Sequence, residues 1–219
     1  MRFDHKQLYR RFGKQTPDRF FYTPDRARKK GKGQVMKKVA YSGIEGAFAH
    51  VAARRMFPEA LHVSYKSFRE AYEAVLKKEC DLAVLPVENS YAGKVAEVEA
   101  LLSEDRVFIN ARYTLPIIQN LLGVRGSRKE DIKKVLSQKK ALEQCDEYIQ
   151  KMGFHTEERV NTAMAAKEVT EMQKMSVGAI ASLEVAAIYG LKVLEEHINV
   201  RDDNQTEFVA VSLQKDPIE

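Results

Sequence analysis

Residues 81–93 read DLAVLPVENSYAG, and they contain the clearest strand signal in the chain. An apolar run bounded by polar residues and a glycine is typical of a β-strand. The run ends at Glu88, Asn89 and Ser90, and an acidic residue in this place must find a partner or a ligand. Because ligands of parallel α/β sheets bind outside the carboxyl ends of the strands, the sequence predicts a ligand site here.

On both sides of this strand, short apolar runs alternate with amphipathic segments. VAYS precedes AFAHVAARRMF, LHVSY precedes FREAYEAVLKK, and VGAIA precedes LEVAAIYG. Strands that alternate with helices of about ten residues favour βαβ units with mainly parallel pairing. Near the end, LKVLEEHI and TEFVAV predict two strands separated by the polar turn NVRDDNQ. The fold class that follows is α/β.

Local signals predict where several helices begin and end. Ser67 with Glu70, and Ser127 with Glu130, have the spacing of capping boxes. Pro58 is expected to close the first helix, and Gly153 and Gly190 are expected to follow helices as C-terminal caps.

Composition excludes several classes of protein. The chain has 219 residues, of which 44% are hydrophobic and 31% are charged, as in ordinary globular proteins. No apolar run approaches the roughly 20 residues of a membrane helix, and the N-terminus lacks the apolar region of a secretory signal. Cys80 and Cys145 provide neither a disulfide framework nor metal-ligand spacing. We therefore expect a cytoplasmic protein with reduced thiols and no membrane partner.

The net charge of +5 is unevenly distributed. Residues 1–37 hold twelve basic and three acidic residues, whereas the rest of the chain holds 24 basic and 28 acidic residues. A basic arm can contact nucleic acid or an anionic membrane, but such a stretch is more often a leader or linker. We predict a basic leader or linker over residues 1–37 and no nucleic-acid partner.

Small polar residues or glycine occupy five predicted strand-to-helix junctions. These junctions are Ser42-Gly43-Ile44-Glu45-Gly46, Glu88-Asn89-Ser90, Ser137-Gln138-Lys139-Lys140, Asn161-Thr162 and Ala181-Ser182. Helix N-termini favour anions, so a small carboxylate is the expected ligand, although each residue alone could be an ordinary cap. The first junction lacks the G-x-G-x-x-G spacing of nucleotide sites, and His50 fits a core or surface position better than a catalytic one.

At these junctions the sequence resembles the prephenate dehydratase family. VAYSGIEGAFAH is similar to that family's opening strand and G-x-x-G-A-[YF] turn, and LPVENSYAG to its P-x-E-N-S-x-x-G motif. LSQKKALEQC, VNTAMAAK, VGAIAS and DDNQTEF occur where the family has S-H-P-Q-A-L-x-Q-C, S-T-A-x-A-A-K, A-I-A-S and N-x-T-R-F. The resemblance covers residues 38–213.

The resemblance implies a fold like that of type II periplasmic binding proteins, with two βαβ lobes and an interlobe cleft. Lobe 1 would take about 38–112 and 192–213, and lobe 2 about 113–191. The implied reaction converts prephenate to phenylpyruvate, carbon dioxide and water in phenylalanine biosynthesis, without a metal or organic cofactor. The family also suggests a homodimer.

The resemblance further implies a site. Thr206 would be the catalytic hydrogen-bond donor to the departing hydroxyl. The implied substrate-binding residues are Glu88, Asn89, Ser90, Ser137, Lys140, Asn161, Thr162, Glu207 and Phe208.

The sequence also departs from the family pattern. Glu207 stands where the family has an arginine that would clamp a carboxylate, Gln138-Lys139-Lys140 replaces His-Pro-Gln, and Ala49 replaces a serine. Lys140 could restore a cation near the substrate. Two alternatives therefore stay open: a non-aromatising prephenate decarboxylase, and a non-catalytic small-carboxylate-binding homologue.

Only QKDPIE follows VAVSL, where the family usually carries an ACT domain, so the chain is naturally short or an excised catalytic domain.

Overall fold

The computed structural model of the protein describes residues 36–201 and 203–215. Nearly all of the predicted basic leader therefore lies outside the described residues. The first lobe begins with five strands and three helices: β1 (Lys38–Ser42), α1 (Phe48–Met56), β2 (Leu61–Tyr65), α2 (Phe68–Leu76), β3 (Leu82–Asn89), β4 (Gly93–Lys94), α3 (Ala96–Leu102) and β5 (Phe108–Pro116). The second lobe follows with β6 (Asn120–Gly123), β7 (Lys134–Gln138), α4 (Lys139–Gln144), α5 (Asp146–Met152), β8 (His155–Arg159), α6 (Thr162–Met172), β9 (Val177–Ala181), α7 (Leu183–Tyr189) and β10 (Lys192–Glu195). The chain then returns to the first lobe as β11 (Gln205–Ser212).

Each lobe is built on one sheet, which confirms the predicted two-lobed α/β fold. The first sheet has the strand order β2-β1-β3-β11-β5, with β4 paired to β3, and the second has the order β10-β6-β9-β7-β8. The βαβ units pair in parallel, as β1 does with β2 and β3, and β7 with β8 and β9. The strands near the crossings between lobes are antiparallel: β11 pairs with β3 and β5, and β6 with β9 and β10. The expectation of mainly parallel pairing therefore holds only for the βαβ units.

The lobe boundaries differ from the expected ones at β5 and β10. β5 continues to Pro116 in the first sheet, so the crossing to the second lobe comes a few residues later than predicted. β10 was expected in lobe 1 but pairs with β6 in the second sheet. Val193 and Leu194 account for this placement, because both pack against cores of the second lobe.

The buried strand β3 separates two cores in the first lobe. Leu82 and Val84 face the α1 side, where Phe208 of β11 also packs. Ala83 and Leu85 face the α2 and α3 side. This alternation follows from the two-residue period of a strand that is covered by helices on both faces.

Most predicted helix ends are confirmed. The Ser67 hydroxyl accepts the Glu70 amide at 3.1 Å, and α1 ends directly before Phe57-Pro58. Gly153 and Gly190 adopt left-handed conformations at the ends of α5 and α7. The prediction at Ser127 is wrong by one residue: the cap of the short 3-10 turn is Arg128, whose N–H donates to Asp131 at 2.8 Å.

The turn after β1 makes a contact between the lobes. Gly46 has φ +89°, and a Cβ added there would lie 2.9 Å from Val185 Cγ2 of α7, so only glycine fits. The Tyr189 hydroxyl donates to the Glu45 carbonyl at 2.7 Å, and Arg55 pairs with Glu184 at 2.5 Å. This turn, whose glycines lack the spacing of a nucleotide site, therefore packs one lobe on the other.

His50 supports the same turn from inside the first lobe. The Gly46 N–H donates to His50 Nδ1 at 3.0 Å, and the His50 ring lies 4.8 Å from the Tyr41 ring and 5.9 Å from the His62 ring. His50 is 5% exposed, so the expectation of a core or surface histidine is confirmed as core. Burial, with the nearby His62 and Arg54, lowers the pKa of His50 to about 4.

This buried histidine makes stability depend on pH. Because the unfolded chain has a histidine pKa near 6.5, it binds more protons than the folded chain between that value and about 4, so stability falls as pH falls through this window. The expected loss from His50 alone is about 2 kcal/mol between about pH 7.5 and about pH 5. Urea unfolding of the parent and of His50→Gln at both pH values measures it. A parent and variant that lose equal stability would contradict the assignment.

Helices within the described ranges are too short or too polar to cross a bilayer.

Candidate functional site

The end of β3 and the beginning of β11 lie side by side. In this antiparallel pairing Asn89 is opposite Thr206, and Glu88 is opposite Glu207. Neighbouring residues of a strand face opposite sides of its sheet, so Asn89 and Thr206 share one face and Glu88 and Glu207 share the other. The sequence-predicted site is therefore divided between two faces.

Asn89 is the centre of a hydrogen-bond network that joins these strand ends. Its Nδ2 donates to Asn204 Oδ1 at 2.9 Å, to the Gln205 carbonyl at 3.0 Å and to Thr206 Oγ1 at 2.9 Å. Its Oδ1 accepts the N–H groups of Tyr91 and Ala92 at 3.1 and 3.0 Å. An amide nitrogen has two hydrogens, and here three protein acceptors share them. Asn89 therefore positions its neighbours and has little capacity left for a ligand.

Thr206 is held so that its hydroxyl can donate. It is 9% exposed, and its Oγ1 accepts a hydrogen bond from Asn89 Nδ2. Because the Asn89 amide supplies the hydrogen of that bond, the hydroxyl hydrogen of Thr206 remains available to another acceptor. This geometry suits a donor to a departing oxygen.

Ser90 and Tyr91 tie the turn after β3 to the segment before β11. Ser90 Oγ accepts the Gln205 N–H at 3.0 Å and donates to the Asp203 carbonyl at 3.3 Å. The Tyr91 hydroxyl donates to the Asp203 carboxylate, which raises the pKa of Tyr91. The Arg201 guanidinium lies 5.2 Å from the centre of the Tyr91 ring. Ser90, like Asn89, is thus used for positioning.

A cleft of about 490 Å³ adjoins this network. Its wall combines Asn89 and Tyr91 from the first lobe, Lys140 from the start of α4, and Arg201 and Asn204 from the returning segment. The remaining lining residues are Ala92, Glu143, Gln144, Asp146, Glu147, Asn199 and Val200. The lining thus holds two cations and three carboxylates, which can bind the charged ends of a small zwitterionic or anionic molecule.

Glu88 and Glu207 lie on the opposite face and line a separate surface cleft with Lys94 and Arg112. Arg112 Nη1 lies 3.1 Å from Glu207 Oε2. The Glu207 carboxylate, which was expected to lie next to the substrate, therefore has a cationic partner within the protein.

The other predicted site residues are buried in the core or form hydrogen bonds within the protein. Ser137 is fully buried and donates to the Ile180 carbonyl at 2.6 Å, and Phe208 is 2% exposed in the core beside α1. Asn161 caps α6 by accepting the Met164 N–H at 2.8 Å. Thr162 is 3% exposed in the first turn of that helix. The structure thus brings Asn89, Ser90, Lys140 and Thr206 together around the network and its cleft. Ser137, Asn161, Thr162 and Phe208 do not line that cleft.

Sequence reasoning did not single out Asn204, Tyr91 or Arg201. Asn204 and Thr206 are two residues apart, a spacing that places both on the same face of a strand and could have identified Asn204. Tyr91 and Arg201 gave no such signal, because their contact joins segments that are distant in sequence. Among the described residues, no group of three or more His, Cys, Asp and Glu side chains could hold a metal ion.

Comparisons with known proteins agree with this architecture. The model of the prephenate dehydratase family matches residues 39–216. Arogenate dehydratase/prephenate dehydratase 1, chloroplastic, from Arabidopsis thaliana is 39% identical over 175 residues, which are 80% of this chain and 45% of that protein. The chain therefore spans about half the length of this relative.

Two solved structures are similar in fold. Prephenate dehydratase from Arthrobacter aurescens, in complex with L-Phe, has a TM-score of 0.73 and 27% identity over 80% of this chain and 60% of that one. A protein described as a novel type of quorum quenching acylase has a TM-score of 0.75 and 30% identity over 81% of this chain and 64% of that one. The family match covers most of the chain, and the similar relative and structures agree with it. The protein therefore belongs to the prephenate dehydratase family.

Proposed function

We propose that the chain dehydrates and decarboxylates prephenate to phenylpyruvate. In this reaction the ring carboxylate leaves as carbon dioxide, its electron pair enters the ring, and the carbon–oxygen bond at the opposite ring carbon breaks. The oxygen departs as hydroxide and takes a proton from solvent to become water. A hydrogen-bond donor placed at that oxygen lowers the barrier because negative charge develops there.

The observation that carries the proposal is the Asn89–Thr206 hydrogen bond. It uses the Thr206 oxygen as an acceptor and leaves the hydroxyl hydrogen for the substrate. Thr206 is therefore proposed as the catalytic donor, with Asn89 and Ser90 as the residues that position it. Lys140 and Arg201, which line the adjoining cleft, are proposed to bind substrate carboxylates.

Arogenate is a second candidate substrate. It differs from prephenate by an ammonium group in place of the side-chain keto group. Glu143, Asp146 and Glu147 line the same cleft as Lys140, and carboxylates favour an ammonium group. The Arabidopsis relative carries both activities in its name. Incubation of the protein with each compound at neutral pH, with phenylpyruvate and phenylalanine measured as products, distinguishes the two.

The same assay, together with a measurement of prephenate binding, separates the alternatives that the sequence left open. A non-aromatic product from prephenate would indicate a decarboxylase, and binding of prephenate without turnover would indicate a non-catalytic homologue. Homodimeric assembly and a cytoplasmic location remain predictions from the sequence.

The involvement of Glu207 in substrate binding also remains a prediction, and its position on the far face of the sheet favours a small effect. Because Glu207 pairs with Arg112 at 3.1 Å, we expect Glu207→Gln to change kcat/KM by less than about threefold. Steady-state kinetics with prephenate measures this ratio. An increase of about tenfold or more would instead place Glu207 beside the substrate, where its charge repels a carboxylate.

A further inference from the structure

Asn204 holds a buried hydrogen-bond donor without a partner among the described residues. Asn204 is 4% exposed and lines the cleft next to Asn89. Within the part of the chain that the structure describes, its Nδ2 has no hydrogen-bond partner. Buried polar groups of folded proteins nearly always have partners, so an exception at the wall of a cleft calls for a functional reason.

The orientation of this amide is fixed by its neighbour. Asn89 Nδ2 donates to Asn204 Oδ1 at 2.9 Å, which identifies that atom as the acceptor and leaves Nδ2 as the free donor. The Asn204 carbonyl accepts the Ile117 N–H at 2.8 Å, so the backbone is held as well. The free donor is therefore preorganised, as a group that stabilises charge in a transition state must be.

Asn204 and Thr206 form a pair of donors. Asn204 lies directly before β11 and Thr206 is its second residue, and the same Asn89 nitrogen lies 2.9 Å from Asn204 Oδ1 and 2.9 Å from Thr206 Oγ1. Both oxygens accept from Asn89, so the Asn204 N–H₂ group and the Thr206 O–H remain available to donate to another acceptor. One anchoring amide thus sets the positions of two adjacent donors.

We propose that Asn204 is a second catalytic residue, whose Nδ2 donates a hydrogen bond to the same departing oxygen that Thr206 serves. This role rests on the proposed dehydratase function. Two donors at one oxygen stabilise its developing negative charge more than one, and neither donor gives up its proton. The interaction strengthens as the carbon–oxygen bond breaks, so it acts on kcat more than on KM.

Asn204→Asp is the sharpest test, because it keeps the shape and the acceptor for Asn89 while it replaces the free N–H₂ group by a carboxylate oxygen. We expect kcat for the preferred substrate to fall roughly tenfold to hundredfold at neutral pH. As pH falls and the new carboxyl group gains a proton, it regains a donor, so kcat relative to the parent should recover. If Asn204 had only a structural role, kcat of the variant relative to the parent would not recover at low pH while the thermal midpoint stayed constant.

Asn110→Asp is the matched control, since Asn110 on β5 lies outside the cleft. Its Nδ2 donates to Ser212 Oγ at 2.7 Å and to the Gln214 carbonyl at 2.9 Å. The substitution introduces the same charge away from the substrate, and we expect kcat to stay within about threefold of the parent. If Asn204→Asp does not fold, Asn204→Ala with its thermal midpoint takes its place.

The parent protein separates the two levels of the proposal. If the parent turns over prephenate or arogenate and Asn204→Asp and Asn204→Ala retain its kcat, the role of Asn204 is overturned and the function stands. An equal loss of kcat in Asn110→Asp also overturns the role. If the parent turns over neither compound, the proposed function fails, and the catalytic role of Asn204 fails with it.

Discussion

Thr206→Val should fold like the parent and bind prephenate, yet lose roughly 10²–10³ in kcat. Valine keeps the branched shape of threonine and removes only the hydroxyl group. The local network should survive, because Asn89 Nδ2 keeps its bonds to Asn204 Oδ1 and to the Gln205 carbonyl. We expect a stability loss of only about 1 kcal/mol from the one lost hydrogen bond.

The measurement is kcat and KM of the parent and the variant with the preferred substrate, alongside urea unfolding. Thr114→Val, an exposed position on the neighbouring strand β5, is the matched control and should retain parental kcat. A Thr206→Val variant with near-parental kcat would contradict the catalytic assignment. Assistance to the departing hydroxyl would then have to come from another donor, with Asn204 first to test.

Asn89→Asp should cause a loss of kcat of similar size together with a loss of stability. The change replaces an Nδ2 that donates to three oxygens by a carboxylate oxygen that faces Asn204 Oδ1, the Gln205 carbonyl and Thr206 Oγ1. The Thr206 hydroxyl would then donate to the new carboxylate and no longer to the substrate. We expect kcat to fall by about 10²-fold and the free energy of unfolding to fall by about 2–4 kcal/mol.

Asn110→Asp separates the catalytic effect from the structural one. Asn110 on β5 also donates its Nδ2 to a hydroxyl and a carbonyl, Ser212 Oγ at 2.7 Å and Gln214 O at 2.9 Å. It lies away from the cleft, so its substitution should lower stability and leave kcat unchanged. Equal effects of both variants on kcat would show that Asn89 acts only through stability.

Much of the fold follows from local patterns in the sequence. The apolar run of β3 and the alternation of strands with amphipathic segments predict the two α/β lobes, and glycines mark the helix ends at Gly153 and Gly190. Pairing direction and lobe membership were harder to predict, because they depend on contacts between distant segments. The short strand β10 is an example. Its apolar residues Val193 and Leu194 pack against the cores of the second lobe, and no local sequence pattern reveals which core they contact.

The site was predictable as a set of motifs but not as a geometry. The motifs indicated Asn89, Ser90 and Thr206, and the register between β3 and β11 brings these residues together. The same register carries Glu88 and Glu207 to the other face, which depends on the strand pairing and not on residue type. Ser137 and Asn161 form internal hydrogen bonds, a use that their sequence positions do not distinguish from ligand binding.

The most direct test of the account is turnover by the purified protein at neutral pH, measured in parallel with the Thr206→Val variant prepared in the same way. The account predicts phenylpyruvate from prephenate, or phenylalanine from arogenate, at a rate that falls roughly 10²–10³-fold in the variant. The variant also controls for a contaminating dehydratase, which would be present equally in both preparations. Absence of both products with the parent, or equal rates from the parent and the variant, would contradict the account.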